Sequence, residues 1–405
     1  MNGARRRTAP PTVAAGAFSG PVHHLYVHVP FCRAKCDYCD FASEPVGSAP
    51  DGALLDRFVA GIAAEWERER AAHDVRRLHT LFLGGGTPSL LGPDRLECLL
   101  ERFRPSLTPH AEVTVETNPE DVDDAFAAWA AARGVRVSLG VQSFARAQRD
   151  ALGRRAAADP GAAFARLRAA GVADLSADLI HALPGQTAAD LEADIAAVLA
   201  LRPDHVSWYE LGVAPGTPLE ARLRAASAPP RPLPAAPPPA ALVLPDDETR
   251  ATMYRRIVRT LSRAGYDWYE VSNYALPGHR ARHNLAYWRA RPYVGLGPGA
   301  VSTVGRRRWT NAAAVEAWAR ALEAGACPPR EVEDLPAGTR ARERLLLAAR
   351  CGDPVPVAAL AAILDRQAAA ALAAAGLVSL HSGTIRVTRK GRYVAGEVCV
   401  RLFRD

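Results

Sequence analysis

Six short apolar runs alternate with helical stretches between residue 24 and about residue 213, and this alternation restricts the possible folds more than any other feature of the sequence. The runs are almost continuously apolar, as expected for strands buried on both faces of a parallel sheet. The predicted strands are residues 24–29, 80–83, 112–116, 136–141, 175–180 and 205–211. Six right-handed βα units predict an α/β fold, a partial (β/α)6 TIM-like barrel with its ligands at the carboxyl ends of the strands.

Changes in composition divide the rest of the 405-residue chain. We predict a disordered leader at 1–21, the barrel at 22–221, a mobile Pro/Ala-rich insertion at 222–245, a barrel extension at 246–330 and a C-terminal module at 331–405. The order of elements in that module, three helices and a hairpin, is winged-helix-like. Its candidate recognition helix at 367–375 is mostly alanine, so we interpret the module as a packing unit and not as a DNA reader.

The formal net charge of +7 would be compatible with nucleic-acid binding. However, almost all basic residues are arginines spread along the chain, and Lys35 and Lys390 are the only lysines. We therefore predict no nucleic-acid partner. The sequence contains no apolar run of membrane-spanning length, and the arginine-rich leader lacks the apolar core of a secretory signal. These features predict a cytoplasmic protein, with an organellar targeting peptide as the alternative interpretation of the leader.

Three of the seven cysteines, Cys32, Cys36 and Cys39, lie within eight residues directly after the first predicted strand. This spacing is too tight for a secreted disulfide framework and favours a metal site in a reducing compartment. A 4Fe-4S cluster held by three thiolates keeps one iron open, whereas clusters that only carry electrons normally use four. An open iron can chelate S-adenosylmethionine (SAM). A structural zinc site with His28 as a ligand, or three unrelated buried thiols, are the alternatives.

A glycine-rich turn, Gly84-Gly85-Gly86-Thr87-Pro88, follows the second predicted strand. The missing side chains let backbone groups approach a small zwitterion closely. Taken alone the turn is a weak signal, because any tight turn can use glycine. Its position one strand after the cysteines favours a shared site.

Several motifs together resemble the oxygen-independent coproporphyrinogen oxidase family of the radical SAM superfamily. They are YVHVPFCRAKCDYCDF at 26–41, GGGTP at 84–88, ETNP at 116–119, GVQSF at 140–144 and LPGQT at 183–187. The likeness extends from about residue 25 to the C terminus and leaves out the leader and the insertion. The resemblance implies a 4Fe-4S cluster on Cys32, Cys36 and Cys39, with SAM bound beside it.

The resemblance also implies which residues contact SAM. Tyr26 resembles a residue near the methionine part, and Tyr38 resembles an aromatic against adenine. The further contacts that it implies are Gly85, Gly86, Thr87, Glu116, Gln142, Arg154, Asp178, Gly212 and Val301. A carboxylate suits an ammonium or ribose hydroxyls, and an arginine suits a carboxylate. For each polar residue the alternative is a hydrogen-bonded group of the barrel core.

Two features resemble the heme chaperone branch of this family, HemW. Phe41 stands where the oxidases carry a fourth cysteine, and RHNLAYW at 282–288 resembles a heme-binding HNxxYW segment. His283 is the implied heme ligand, since imidazole is a common axial ligand of heme iron. The alternative is a loop in which His283 bonds backbone groups and the two aromatics fill the core. The run at 179–182 and Ala156 to Ala158 depart from the family pattern, and His181 has no assigned role.

The resemblance thus implies a protein that binds heme as cargo and passes it to an acceptor hemoprotein. The alternative is coproporphyrinogen oxidation in porphyrin biosynthesis, and a third possibility is SAM chemistry on another tetrapyrrole or small molecule. We further expect an electron donor such as a flavodoxin or ferredoxin, and a monomer or weak dimer. No catalytic residue is assigned from the sequence.

Overall fold

The computed structural model describes residues 18–73, 75, 77–156, 158–227 and 242–404. Most of the expected leader and of the expected insertion therefore lies outside the described residues. The elements up to the end of the barrel are β1 (His24–Val29), β2 (Phe31–Cys32), β3 (Glu44–Pro45), α1 (Gly52–Ala72), β4 (Leu78–Gly85), α2 (Gly92–Phe103), β5 (Leu107–Thr117), α3 (Asp124–Arg133), β6 (Arg136–Gln142), α4 (Arg146–Ala151), α5 (Pro160–Ala169), β7 (Leu175–His181), α6 (Ala188–Leu201) and β8 (His205–Glu210).

Two further groups of elements follow the barrel. The first comprises α7 (Pro218–Ser227), α8 (Asp247–Arg263), β9 (Asp267–Glu270), β10 (Asn273–Ala275), α9 (Arg282–Trp288), β11 (Tyr293–Leu296), β12 (Val301–Val304), β13 (Arg307–Asn311), α10 (Val315–Glu323) and β14 (Arg330–Asp334). The second comprises α11 (Ala337–Cys351), β15 (Val355–Pro356), α12 (Arg366–Ala374), β16 (Val378–His381), β17 (Thr384–Val387) and α13 (Ala395–Leu402).

The central sheet has twelve strands in the order β14-β13-β12-β11-β1-β4-β5-β6-β7-β8-β10-β9. Its middle is the parallel array β1-β4-β5-β6-β7-β8, whose neighbours are consecutive βα units. The α/β fold with a mostly parallel sheet, predicted from the alternating apolar runs, is therefore confirmed. β11 adds to β1 in parallel, whereas β12 to β14 and β10 to β9 add antiparallel strands at the two sides.

Local sequence signals explain where the barrel helices begin. The Asp51 carboxylate accepts a hydrogen bond from the backbone N–H of Ala53 at the start of α1. Thr187 and Asp190 form a reciprocal capping box before α6, which ends at Arg202 in a left-handed conformation, directly before Pro203. These caps satisfy N–H groups that have no partner inside the helix.

A buried carboxylate ties the extension of the sheet to the barrel. Glu65 on α1 accepts hydrogen bonds from the Gly297 N–H at 2.8 Å, Asn311 Nδ2 at 2.7 Å and Trp318 Nε1 at 3.0 Å. Burial raises the pKa of Glu65 to about 7, although the three donors oppose this shift. The Glu65 side chain thus connects α1 to the end of β11, to β13 and to α10.

The C-terminal elements have an apolar core of their own, with helices α11 to α13 around the sheet β15-β17-β16. The sequence pattern predicts a second helix of this module at 357–364, where the structure has only a 3₁₀ helix at Val357–Leu360. The Arg350 guanidinium lies 4.3 Å from the ring centre of Trp288, and Arg289 pairs with Asp353 at 3.0 Å. This module therefore packs on the outer side of α9.

Two boundaries expected from composition differ from the structure. Phe18, which was assigned to the leader, is buried and exchanges backbone hydrogen bonds with Ala290 and Gly305. Helix α7 continues to Ser227, so residues 222–227 of the expected insertion are helical. In both places apolar contacts extend further along the chain than composition indicates. Within the described part of the chain, none of the helices is long and apolar enough to cross a membrane.

Candidate functional site

A cavity of about 860 Å³ opens at the carboxyl ends of the parallel strands. This volume lies within the usual range of ligand pockets, about 300–1,000 Å³. The structure brings most of the predicted site residues to its wall, namely Cys32, Cys36, Cys39, Tyr38, Gly85, Gly86, Thr87, Glu116, Gln142, Arg154, Asp178 and Gly212. Tyr26, His283 and Val301 do not line this cavity.

The cysteine loop leaves β1 and forms one side of the cavity. Its three thiols are partly buried, and the Thr87 hydroxyl lies 3.7 Å from Cys32 Sγ. Burial raises the pKa of Cys36 to about 11, and a bound metal would stabilise the thiolate that burial disfavours. Within the described ranges, only Asp174, Asp204 and His279 bring three ligand atoms within 4.8 Å of one another. At least two of the three sulfurs therefore lie more than 4.8 Å apart, farther than two thiolates bound to a single zinc ion at about 2.3 Å each.

His28, the candidate fourth ligand for zinc, is occupied by other contacts. Nε2 lies 2.8 Å from the Ala42 carbonyl, which can only accept, so Nε2 carries the proton. Nδ1 then accepts from the Tyr26 hydroxyl at 2.9 Å. Both ring nitrogens are used, and His28 links β1 to the chain just beyond Cys39. A Cβ on Gly85 would lie 2.5 Å from this ring, which explains glycine at that position.

The glycine-rich turn is pressed against the cysteine loop by backbone bonds. Gly86 N–H donates to the Val29 carbonyl and Thr87 N–H to the Phe31 carbonyl, each at 2.7 Å. A Cβ on Gly86 would lie 2.5 Å from the Phe31 oxygen. The turn and the cysteines therefore share one wall, as their order along the chain predicts.

Two half-buried carboxyl groups face the cavity from β5 and β7. Glu116 Oε2 accepts from the Gly85 N–H at 3.0 Å, and Asp178 accepts from Ser138 at 2.7 Å and Ser176 at 3.0 Å. Burial, with a contribution from the nearby Asp178, raises the pKa of Glu116 to about 7. Burial also raises the pKa of Asp178. A cationic ligand would favour the ionised form of both groups.

The cavity wall also contains a buried cation and a strained backbone position. Arg154 donates to Asn118 Oδ1, and Asn118 Nδ2 donates to the Thr87 hydroxyl at 2.9 Å. Gln142 has a φ of 64°, at an irregularity in the pairing of β6 with β7. Such a conformation costs about 1–3 kcal/mol and is typical of functional sites. Asn118 was missed from the sequence, although it lies in the ETNP motif that was recognised.

The remaining site residues lie elsewhere. Tyr26 and His283 line a second cavity of about 150 Å³ inside the barrel, which shares Glu116, Asp178 and Tyr209 with the larger one. This floor cavity is too small for a porphyrin, and the His283 side chain is only 1% exposed. Heme could therefore reach His283 only if α9 left the barrel. The segment RHNLAYW forms α9, whereas the alternative interpretation of this segment predicts a loop.

Two other positions lie outside both cavities. Val301 begins β12, and its carbonyl closely faces Gly295 of β11, where a Cβ would lie 2.3 Å from the Val301 oxygen. His181 is buried parallel to the Tyr254 ring at 6.0 Å, and burial lowers its pKa to about 4. The geometry around His181 is that of a packed neutral imidazole.

The raised pKa of Glu116 predicts a pH-dependent affinity for the expected SAM. The carboxylate, and not the carboxylic acid, attracts an ammonium group, so SAM affinity should rise from pH 6 to pH 8, by up to about tenfold for a pKa near 7. Equilibrium dialysis of the reconstituted protein measures this dependence. Glu116→Gln cannot ionise and should show a flat profile. An equally steep profile in that variant would assign the dependence to another group.

Comparisons with known proteins agree with this geometry. The family model of the Radical SAM superfamily matches residues 26–198, and that of the HemN C-terminal domain matches residues 335–394. The chain is 38% identical to heme chaperone HemW of Mycobacterium tuberculosis, over 92% of this chain and 93% of the relative. It is 36% identical to HemW of Escherichia coli, over 69% and 70% of the two chains. The superfamily match implies a 4Fe-4S cluster and SAM.

A solved structure shows the same fold. Coproporphyrinogen III oxidase (HemN) of Escherichia coli, a radical SAM enzyme, superposes with a TM-score of 0.76 at 22% identity. The match covers 94% of this chain and 89% of that one. At this level of identity the likeness concerns the fold.

Proposed function

We propose that this chain, which belongs to the heme chaperone HemW family of the radical SAM superfamily, binds heme and delivers it to an acceptor hemoprotein. The supporting observation is a relative named heme chaperone that aligns with almost the whole chain at 38% identity. When bound, SAM and a reduced cluster supply radical chemistry. The chain's own residues hold these groups at the carboxyl ends of the strands.

The cavity mouth supports a heme site beside the cysteine loop. Phe41, at the position of the oxidases' fourth cysteine, lines the cavity and is 58% exposed. Its ring offers an apolar face of the kind that covers a porphyrin. Lys35 donates to the Phe41 carbonyl at 3.2 Å, and Arg155 is exposed on the same cavity. These two cations suit the two propionates of heme, and neither pairs with a carboxylate of the described residues.

With heme at the cavity mouth, the protein can bind heme without any movement of α9 out of the barrel. An electron donor such as a flavodoxin or ferredoxin reduces the cluster, and the protein works in the cytoplasm as a monomer or weak dimer. The oxidase function remains the alternative. Phe41 stands in place of the oxidases' fourth cysteine, and this difference supports the chaperone function over the oxidase function. The likeness to coproporphyrinogen oxidase concerns the fold alone and does not favour the oxidase function.

An anaerobic heme titration followed by the Soret band tests the proposal on the cluster-reconstituted protein. The wild type should bind heme saturably, and Phe41→Ala should bind it about tenfold more weakly, because loss of an aromatic contact costs about 1 kcal/mol beyond its buried area. Leu380→Ala, at an exposed apolar residue of the C-terminal module, is the matched control and should leave the affinity unchanged.

The outcomes separate the function from the site. Absence of saturable binding to the wild type would overturn the chaperone function. Saturable binding that Phe41→Ala leaves intact would keep the function and move heme away from the cavity mouth.

A further inference from the structure

Helix α9, with the RHNLAYW sequence, is fixed at the floor of the barrel. The Glu112 carboxylate of β5 accepts from the backbone N–H groups of Arg282 at 2.8 Å and His283 at 2.9 Å. This bidentate cap satisfies two helix N–H groups that otherwise lack partners. The cap orients the first turn so that the His283 ring enters the barrel.

The His283 imidazole lies between aromatic rings. It stacks on Phe82 at 5.1 Å and meets Tyr287 edge-on at 4.7 Å, with Tyr26 tilted at 6.5 Å. Nδ1 shares a hydrogen bond with the Thr80 hydroxyl at 2.7 Å. Burial lowers the pKa of His283 to about 3, so the ring is neutral.

Nε2 of His283 is the exception, because it is buried and has no hydrogen-bond partner among the residues that the structure describes. The ring lines the floor cavity, whose wall also includes the carboxyl groups of Glu116 and Asp178. A buried polar atom without a partner costs about 1–3 kcal/mol unless water satisfies it. The cavity of about 150 Å³ can contain several waters, each of which occupies about 30 Å³ in the liquid.

The outer face of α9 is also in contact with other residues, those of the C-terminal module. Trp288 is covered by the Arg350 guanidinium, and Arg289 pairs with Asp353 of the C-terminal module. Withdrawal of α9 for a ligand would break these contacts and the Glu112 cap. The helix is therefore a fixed floor between the barrel and the module.

We infer that His283 is a positioning residue of the SAM site, which hydrogen-bonds through cavity water to Glu116 from below, and that it does not ligate heme. Glu116 accepts from the Gly85 N–H on the other side, so a bond from below fixes both the carboxylate and the glycine-rich turn. The motif that resembles a heme-binding segment thus serves SAM. This inference stands whether or not the protein carries heme.

Three substitutions of His283 in the reconstituted full-length protein test the inference. SAM affinity is measured by equilibrium dialysis, heme affinity by the Soret band and cluster content by absorption. His283→Ala should weaken SAM binding about tenfold, the value of one buried hydrogen bond, and leave heme affinity unchanged. His283→Phe fills the same space without a polar atom and should remain weak. His283→Gln carries an amide that can donate into the cavity and should restore most of the affinity.

Restored SAM affinity in His283→Gln would distinguish a positioning role of His283 from general damage to the core. A folded variant set in which SAM affinity stays at the wild-type value would overturn the inference. A loss confined to heme affinity would also overturn it and would assign His283 to heme. If His283→Ala does not fold, the comparison of His283→Phe with His283→Gln decides, because only the second carries a hydrogen-bonding group.

Discussion

Cys36→Ala protein, after anaerobic reconstitution, is expected to lack the broad iron–sulfur absorption band and to bind no SAM. Three thiolates already leave one iron of the cluster without a protein ligand. Removal of the Cys36 thiolate would leave a second iron without one, so that only two thiolates hold the cluster. The effect on SAM follows, because SAM binds the open iron of the same cluster. Iron and sulfide content, visible absorption and SAM dialysis measure the loss.

A second cysteine provides the control for this experiment. Cys98 is exposed on α2 and does not line the cavity, so Cys98→Ala should retain the full band and full SAM affinity. An unchanged iron–sulfur band in Cys36→Ala would refute the cluster assignment. Zinc in stoichiometric amount in the purified wild type would instead support a structural metal site.

Gly86→Ala is expected to weaken SAM binding by about ten- to a hundredfold. The new methyl group would lie 2.5 Å from the Phe31 carbonyl and 2.7 Å from the Val29 carbonyl, so the turn must shift away from the cysteine loop. Overpacking of this kind costs about 1–3 kcal/mol, and each 1.4 kcal/mol is tenfold in affinity. Dialysis against SAM and thermal unfolding should both show the change.

Two glycines serve as controls for the steric argument. An added Cβ would meet no atom of the described ranges within 4 Å at Gly212, which lines the same cavity, or at Gly396 on α13. Gly212→Ala should therefore lose much less SAM affinity than Gly86→Ala, and Gly396→Ala should lose none. Equal losses at Gly86 and Gly212 would contradict the role of the backbone contacts to the cysteine loop.

The parallel strands could be predicted because their pattern is local. The runs at 24–29, 136–141 and 175–180 agree with β1, β6 and β7 to within one residue at each end. The edges of the sheet were not predicted, because β11 to β14 join β1 across more than 260 residues of sequence and no short-range periodicity encodes that pairing. Strand partners that are distant in sequence depend on tertiary packing.

At the site, motif recognition found most of the residues that line the cavity. Tyr26, which the resemblance places near SAM, lines the adjoining floor cavity, with its hydroxyl bonded to His28. The direction of the Tyr26 side chain depends on the register of β1 in the sheet, and a sequence motif contains no information about that register. Ser138 and Tyr209, which line both cavities, were missed. The two-residue period of β6, with Arg136 and Ser138 on one face, is a signal that could have identified Ser138.

The two outer strands of the twelve-stranded sheet bear on aggregation. An edge strand offers unpaired backbone groups to another molecule. β14 exposes Glu331, Glu333 and Asp334 along its length, the last two paired with Arg308 and Arg306, and charged side chains on an edge strand disfavour its pairing with another copy. On the opposite side Arg392 donates to the Trp268 carbonyl of β9 at 2.7 Å. One edge of the sheet is thus protected by charged side chains and the other by the C-terminal module, and both devices oppose edge-to-edge association of copies.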